Sequence, residues 1–171
     1  RKYRFRFLNG GPSRFYEIYL QNKGANAVYT YTYIANDGNL YEKPLRVNSV
    51  KLAMAERADI IVDFKKLTAA GGPAAGATRL WLENRMVQVQ LRKPEKDLAP
   101  AGTASNVLVE FRIGAAVADN SRDPALITSF APITLPPLPP IGETITRTFK
   151  WERGNGAWQC SGKFLDCNEV R

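Results

Sequence analysis

At 171 residues, 44% hydrophobic and 11% aromatic, the chain suits one domain with a packed core, or one domain and part of another, and is too apolar for disorder. It contains no histidine, which excludes Ser-His-Asp and Cys-His catalysis and the imidazole sites that hold most zinc and copper. The net charge of +8 is spread along the chain, so it reads as a solvated cationic surface, with polyanion binding as the alternative. No apolar run reaches the roughly 20 residues of a membrane-spanning helix. The sequence opens at Arg1 with neither an initiator methionine nor a signal peptide, so it is expected to be a processed product or an excised piece.

The period is two from the first residues onward. In "RKYRFRF" the rings of Tyr3, Phe5 and Phe7 fall on one face and Arg4 and Arg6 on the other, the pattern of a half-buried strand. Nucleic-acid sheets put rings and cations on the same exposed face; here they alternate, so the rings are expected in a core and the arginines in water or paired. After the turn "NGGPS" come "YEIYL", "AVYTYTYIA", "LRVNSVKLA" and "ADIIVDF", then "TRLWLEN", "MVQVQL" and "NVLVEFRI". Turn signals recur about every ten residues, as in a sandwich or barrel. Helix is nearly missing: "AMAERAD" offers one turn, and "DPALITSF" one or two, with Asp123 as cap and Pro124 in the first helical position.

Two stretches punctuate the chain. "TAAGGPAAGAT" reads as a flexible surface loop between strands, and "APITLPPLPPIGE" as a stiff extended linker, with a PxxP ligand as its functional alternative. Beyond it "TITRTFKW" resumes as a strand and "GNGAW" turns. Cys160 and Cys167 are no CxxC pair; they are either free thiols or one disulfide, which would contribute about 2–3 kcal/mol. A two-thiolate metal site would need ligands from elsewhere. Glu56 and Arg57 are expected to tie a turn to a neighbouring strand. Asp59 and Asp63 flank the apolar "IIV", with Asp63 expected to pair with Arg4 or Arg6; read instead as paired catalytic carboxylates, they have no pocket to support them. Trp81, Trp151 and Trp158 read as core or domain-boundary aromatics.

The order of these segments resembles the middle cupredoxin domain of multicopper oxidases, in the branch of spore-coat laccases and bilirubin oxidases. The residues that carry it are "RKYRFRFLN" (1–9), "SRFY" (13–16), "DGNL" (37–40) and "AERADIIVDF" (55–64). More loosely, "LENRMVQVQLRKP" and "LVEFRI" fit too, and "WERGNGAWQCSGKFLD" resembles the entry to the third domain. There the usual W-x-I-N-G is Trp158-Gln159-Cys160-Ser161-Gly162.

The resemblance implies an all-β, cupredoxin-like Greek-key β-sandwich, incomplete at both ends. Residues 1–132 would be the second domain lacking its first strand, 133–143 a Pro-rich linker and 144–171 the first strands of the third. It implies a parent that oxidises phenols, pigments or metal ions and reduces O2 to water, with a type 1 copper and a trinuclear copper cluster held by H-x-H and H-C-H runs. No such run occurs here, so this segment is expected to bind no copper, to carry no catalytic or cofactor residue, to space its neighbours and to lend a wall to the substrate site. Its partners would be the remaining cupredoxin domains, in a secreted, periplasmic or spore-coat setting, with no nucleic acid. The alternative is a basic β-sandwich that binds a polyanion or a protein partner, and strong salt-dependent retention on heparin would favour it.

Overall fold

The computed structural model describes residues 1–22, 27–90, 93–130, 137, 140, 142 and 145–164. The chain divides into two compact units, Arg1–Pro132 and Ile133–Arg171.

The first unit opens with β1 (Lys2–Leu8), β2 (Tyr16–Gln21), β3 (Val28–Tyr29) and β4 (Tyr31–Asn36). It continues with β5 (Asn39–Val47), β6 (Ser49–Leu52) and β7 (Arg57–Asp63), which leads directly into a short helix, α1 (Phe64–Thr68). Then come β8 (Arg79–Asn84), β9 (Met86–Val89), β10 (Lys93–Leu98) and β11 (Val107–Arg112). One sheet has the order β1-β7-β4-β5; the other has β11-β8-β2-β3, with β6 also on β2. β9 and β10 form a separate hairpin. All pairings are antiparallel, and the chain repeatedly crosses between sheets, as a Greek-key sandwich requires.

Hydrophobic residues from both inner faces meet in one core, including Ile18, Leu20, Tyr31, Val50, Ile60, Val62, Leu80 and Leu82. In "IIV", Ile60 and Val62 are buried and Ile61 partly so, because β7 lies between β1 and β4. β5 is an edge strand, which is why it tolerates Pro44. The turn between β4 and β5 uses Asp37 and Gly38, both at positive φ (49° and 87°), the backbone demanded by a two-residue hairpin.

Several expectations are corrected. The period-two reading misses α1, a single five-residue helix whose N-terminus is capped by the Asp63 side chain accepting from the Lys66 N–H at 2.9 Å. "TAAGGPAAGAT" is no loose loop: Ala74 is buried in the core, its N–H donates to the Leu67 carbonyl at 2.9 Å, and Gly76 N–H donates to the Thr68 carbonyl. β10 was not anticipated, because its charges and Pro94 mask the pattern. "AMAERAD" makes a turn without a helix, whereas "DPALITSF" forms a 3-10 turn at Pro124–Leu126 with Asp123 accepting from Ala125 N–H.

The second unit contains β12 (Trp151–Gly154) and β13 (Ala157–Cys160), joined by Asn155 and Gly156 at positive φ. "TITRTFKW" therefore becomes strand only at Trp151; residues 145–150 are not in one. Most of the Pro-rich stretch, and Cys167, lie outside the described residues.

Candidate functional site

On the outer face of β1, Arg4 and Arg6 converge on one carboxylate of β7. Arg4 donates through Nε (3.1 Å) and Nη2 to Asp59 Oδ2, and Arg6 Nε lies 3.7 Å away. The register explains the choice: Arg6 stands opposite Asp59, whereas Asp63 stands opposite Lys2 at the far end and caps α1. The expected pairing with Asp63 is therefore wrong, since a strand partner must lie across the ladder. Arg57 ties the Asp37 turn to β7 as expected, donating its N–H to Asp37 Oδ1 (2.9 Å) and its guanidinium to the Asp37 carbonyl (3.3 Å). Glu56 instead closes its own turn, accepting from the Ala53 N–H at 2.5 Å.

The inner face of β1 borders a cavity of about 580 Å³ between β1, α1, β11 and the segment after it. Its floor is aromatic. Phe64 meets Phe111 at 4.9 Å between centroids and Tyr3 at 5.8 Å, and Phe5 meets Phe111 at 5.3 Å. Phe5 and Phe7 pack against the core as expected, but Tyr3 remains 42% exposed at the mouth, with the Arg1 guanidinium 4.9 Å over its ring. Glu110 on the rim is held by Arg112 (2.9 Å) and Arg79 (3.8 Å). The Arg112 hydrogen bond keeps its carboxyl below the ordinary range. Residues 113–117 wall one end of the cleft. Just beyond them Asp119 accepts from the Lys2 backbone N–H at 2.7 Å and pairs with its ammonium at 3.1 Å. Hydrogen bonds from Ser121, then from the Lys2 N–H, hold the Asp119 carboxyl well below its usual range. A second cavity of about 200 Å³ continues along the same strands, bordered by Phe7, Leu8, Leu108 and Val109.

Chemically this cleft can cover apolar surface; Glu110 is the one carboxylate on its lining, and it is already paired. Sequence reading missed a buried polar group in the other sheet. Glu83, fully buried, accepts from Gln21 Nε2 (2.7 Å) and from the Gly102 N–H (3.0 Å), which fixes the loop before β11. The only sequence signal is a charge among apolar residues in "LWLEN". Nearby, Glu17 accepts from the Tyr19 hydroxyl (2.8 Å) and from Ser49 (2.9 Å). Trp81 is half-buried in the sandwich, but Trp151 and Trp158 are 72% and 66% exposed and so are not core. Arg153 lies over the Trp158 ring across the hairpin. Ser161, at the position where the resembling family has Asn, takes φ 51°, a conformation Asn adopts readily.

The residues present do not fit a copper centre. The sequence supplies no imidazole, and among the described residues no three His, Cys, Asp or Glu side chains gather where an ion could sit. No described helix is long and apolar enough to cross a membrane.

No family model matches the chain. It is 44% identical over 64 residues to a laccase of Bacillus subtilis (strain 168), 37% of this chain and 12% of that protein. It is 29% identical over 170 residues to a bilirubin oxidase of Albifimbria verrucaria, 95% of this chain and 26% of the other. Among solved structures, the McoA multicopper oxidase of the hyperthermophile Aquifex aeolicus superposes over 95% of this chain and 30% of its own, with a TM-score of 0.62 at 23% identity. A multi-copper oxidase of Pediococcus acidilactici gives 0.62 at 19% identity over 99% of this chain and 28% of its own. The chain thus spans a third or less of the proteins it matches. In its sequence matches and in its fold, the chain is similar to segments of multicopper oxidases, and its fold is a cupredoxin-like β-sandwich.

Proposed function

We propose that the parent of this chain is a copper-dependent oxidase that oxidises phenolic, pigment or metal-ion substrates and reduces O2 to water, and that residues 1–171 form a copper-free part of it. The match to a bilirubin oxidase over 95% of this chain, yet only 26% of that protein, carries the reading. In it, residues 1–132 are the second cupredoxin domain without its first strand, 133–143 the linker, and 144–171 the entry to the third domain. The segment spaces its neighbours and contributes to the wall of the substrate site. The division between the two units at residue 132 supports this layout, and the lack of any histidine supports placing the copper ligands outside it.

The test is the intact, denatured mass of the natural protein, followed by its copper content and O2 uptake with a phenol. A mass well above 19.0 kDa, with bound copper and phenol-dependent O2 uptake, is expected. A mass of 19.0 kDa, or a longer chain that holds no copper, rejects the reading.

A further inference from the structure

The sequence holds two Asn-Gly pairs, Asn9-Gly10 and Asn155-Gly156, and one Asp-Gly pair, Asp37-Gly38. A following glycine leaves its backbone nitrogen free to approach the preceding side chain, because no Cβ bars the way. The fold treats the three pairs differently. Asn9 is 3% exposed, and three hydrogen bonds hold its side chain: Nδ2 donates to the Arg14 carbonyl (2.6 Å) and the Leu52 carbonyl (3.2 Å), and Oδ1 accepts from the Gly11 N–H (3.0 Å). Its backbone is held too, donating to the Glu56 carbonyl and accepting from the Ala55 N–H. Asp37 accepts from the Arg57 N–H and pairs with its guanidinium at 3.5 Å. Asn155 and Gly156 have the same turn backbone as Asp37 and Gly38, φ 51° and 80° against 49° and 87°. Yet Asn155 stands exposed at the tip of the β12–β13 hairpin, with open space around Gly156, and no hydrogen bond to its side chain is present among the described residues. That hairpin has two strands and four facing pairs. So small a ladder is marginal in water, and its turn opens at low cost.

We propose that Asn155 is a site of spontaneous deamidation, the asparagine that the fold leaves open to this reaction while it shields Asn9. Once the turn opens, hydroxide takes the Gly156 amide proton and the nitrogen attacks Asn155 Cγ. The bond from Cγ to the side-chain nitrogen breaks, ammonia leaves with a proton taken from water, and a cyclic imide joins positions 155 and 156. Water then adds to either imide carbonyl and the ring opens. Addition at the main-chain carbonyl leaves the backbone running through the former side chain, as isoaspartate; addition at the other gives aspartate. In sum one water enters and one ammonia leaves, with no electron transferred. Both products put a carboxylate at the tip. Isoaspartate also adds a backbone carbon, so the two-residue turn no longer fits the register from Gly154–Ala157 to Trp151–Cys160, and Arg153 loses its place over Trp158. This chemistry needs no copper and stands whether or not the parent is an oxidase.

The experiment is peptide mapping of the natural full-length protein, folded and in urea, after incubation at pH 7 and at pH 9. Trypsin puts the two asparagines on separate peptides, residues 154–163 and 7–14. In the folded protein, residues 154–163 should gain the mass of an amide-to-acid change at least about tenfold faster than residues 7–14. The product should contain both aspartate and isoaspartate forms, and it should accumulate faster at pH 9 than at pH 7. In urea the two peptides should convert at similar rates, which assigns the difference to the fold and not to neighbouring sequence. Asn155→Gln, whose longer side chain closes the imide ring poorly, should abolish the change in residues 154–163 and leave residues 7–14 as before. Equal conversion of the two peptides in the folded protein overturns the proposal. So does conversion of residues 154–163 in urea alone, which would show the hairpin tip closed off in the folded parent. A peptide that stays unconverted even in urea overturns it as well.

Discussion

Two aspartates four residues apart show how position on a strand decides what a charge does. Asp59 lies in β7 beneath two arginines and is 7% exposed, so its carboxylate is a nearly desolvated counter-charge. Asp63 lies where β7 becomes α1, and its oxygen satisfies one helix N–H. Replacing Asp59 by Asn leaves two guanidiniums facing a neutral amide; with Arg4 and Arg6 well exposed to solvent screening, the cost is about 1–3 kcal/mol. Replacing Asp63 by Ala removes only a cap, at about 1 kcal/mol or less for so short a helix. Urea unfolding of the two variants should rank Asp59→Asn as the more damaging. The reverse ranking would mean that the arginine cluster contributes nothing and that the cap nucleates this end of the sandwich.

At the level of elements, α1 and the residues after it act as one plug at the end of the core. Gly72 sits so close beneath the Lys66 and Leu67 carbonyls that an added methyl would collide with backbone. Gly72→Ala should therefore cost about 1–3 kcal/mol by overpacking. Gly114→Ala, with open space around it, should be nearly neutral, and thermal melts of the pair decide. If both are silent, the plug is not packed as described. The segment after β11 is tied down differently, through Asp119 on Lys2. Its carboxyl is depressed in the folded state, so the stabilisation it gives is present above the unfolded value near 3.8 and is lost only as pH falls through the lower folded one. The Lys2 amide should thus stay protected from exchange at pH 4 and lose protection on further acidification, whereas Asp119→Asn should lack that acid transition. A loss of protection centred at or above pH 4 would contradict the assigned hydrogen bonds.

Across the whole molecule, what the sequence made readable was periodicity. Strands such as β1, β4, β7 and β11 were visible because alternating rings and β-branched residues follow the pleat, and the sandwich followed from their spacing. What stayed hidden depends on contacts between distant segments. α1 is too short to show a 3.6-residue period, Ala74 is buried by chain return and not by its own hydrophobicity, and Glu83 is held, through one carboxylate oxygen, by Gly102 and Gln21. For the cleft, Tyr3 and Phe5 were legible as one strand face; its far walls at Phe64, Phe111 and residues 113–117 join it only through the fold. The tyrosines read as strand formers give a property of the entire domain. Tyr31 is buried and donates to the Ile18 carbonyl at 2.7 Å, and burial raises its pKa above 10.0. Burial also raises Tyr33, helped by its hydrogen bond with Tyr41, and Tyr19. For a group raised in the folded state, the stabilisation is complete below the unfolded value and is lost as pH rises from about 10 toward the folded one, because the unfolded chain ionises first. The urea midpoint should accordingly hold from pH 7 to 9 and fall above pH 10. The loss of lysine charge in the same range reduces self-repulsion and opposes this fall, so the deciding quantity is a difference between proteins. Tyr31→Phe should cost about 1 kcal/mol at pH 7 for the lost hydrogen bond, and it should show a shallower alkaline decline than the natural chain. Parallel declines in the two proteins would show that the Tyr31 hydroxyl ionises in the folded state as readily as in the unfolded chain, and that it is not held within the core.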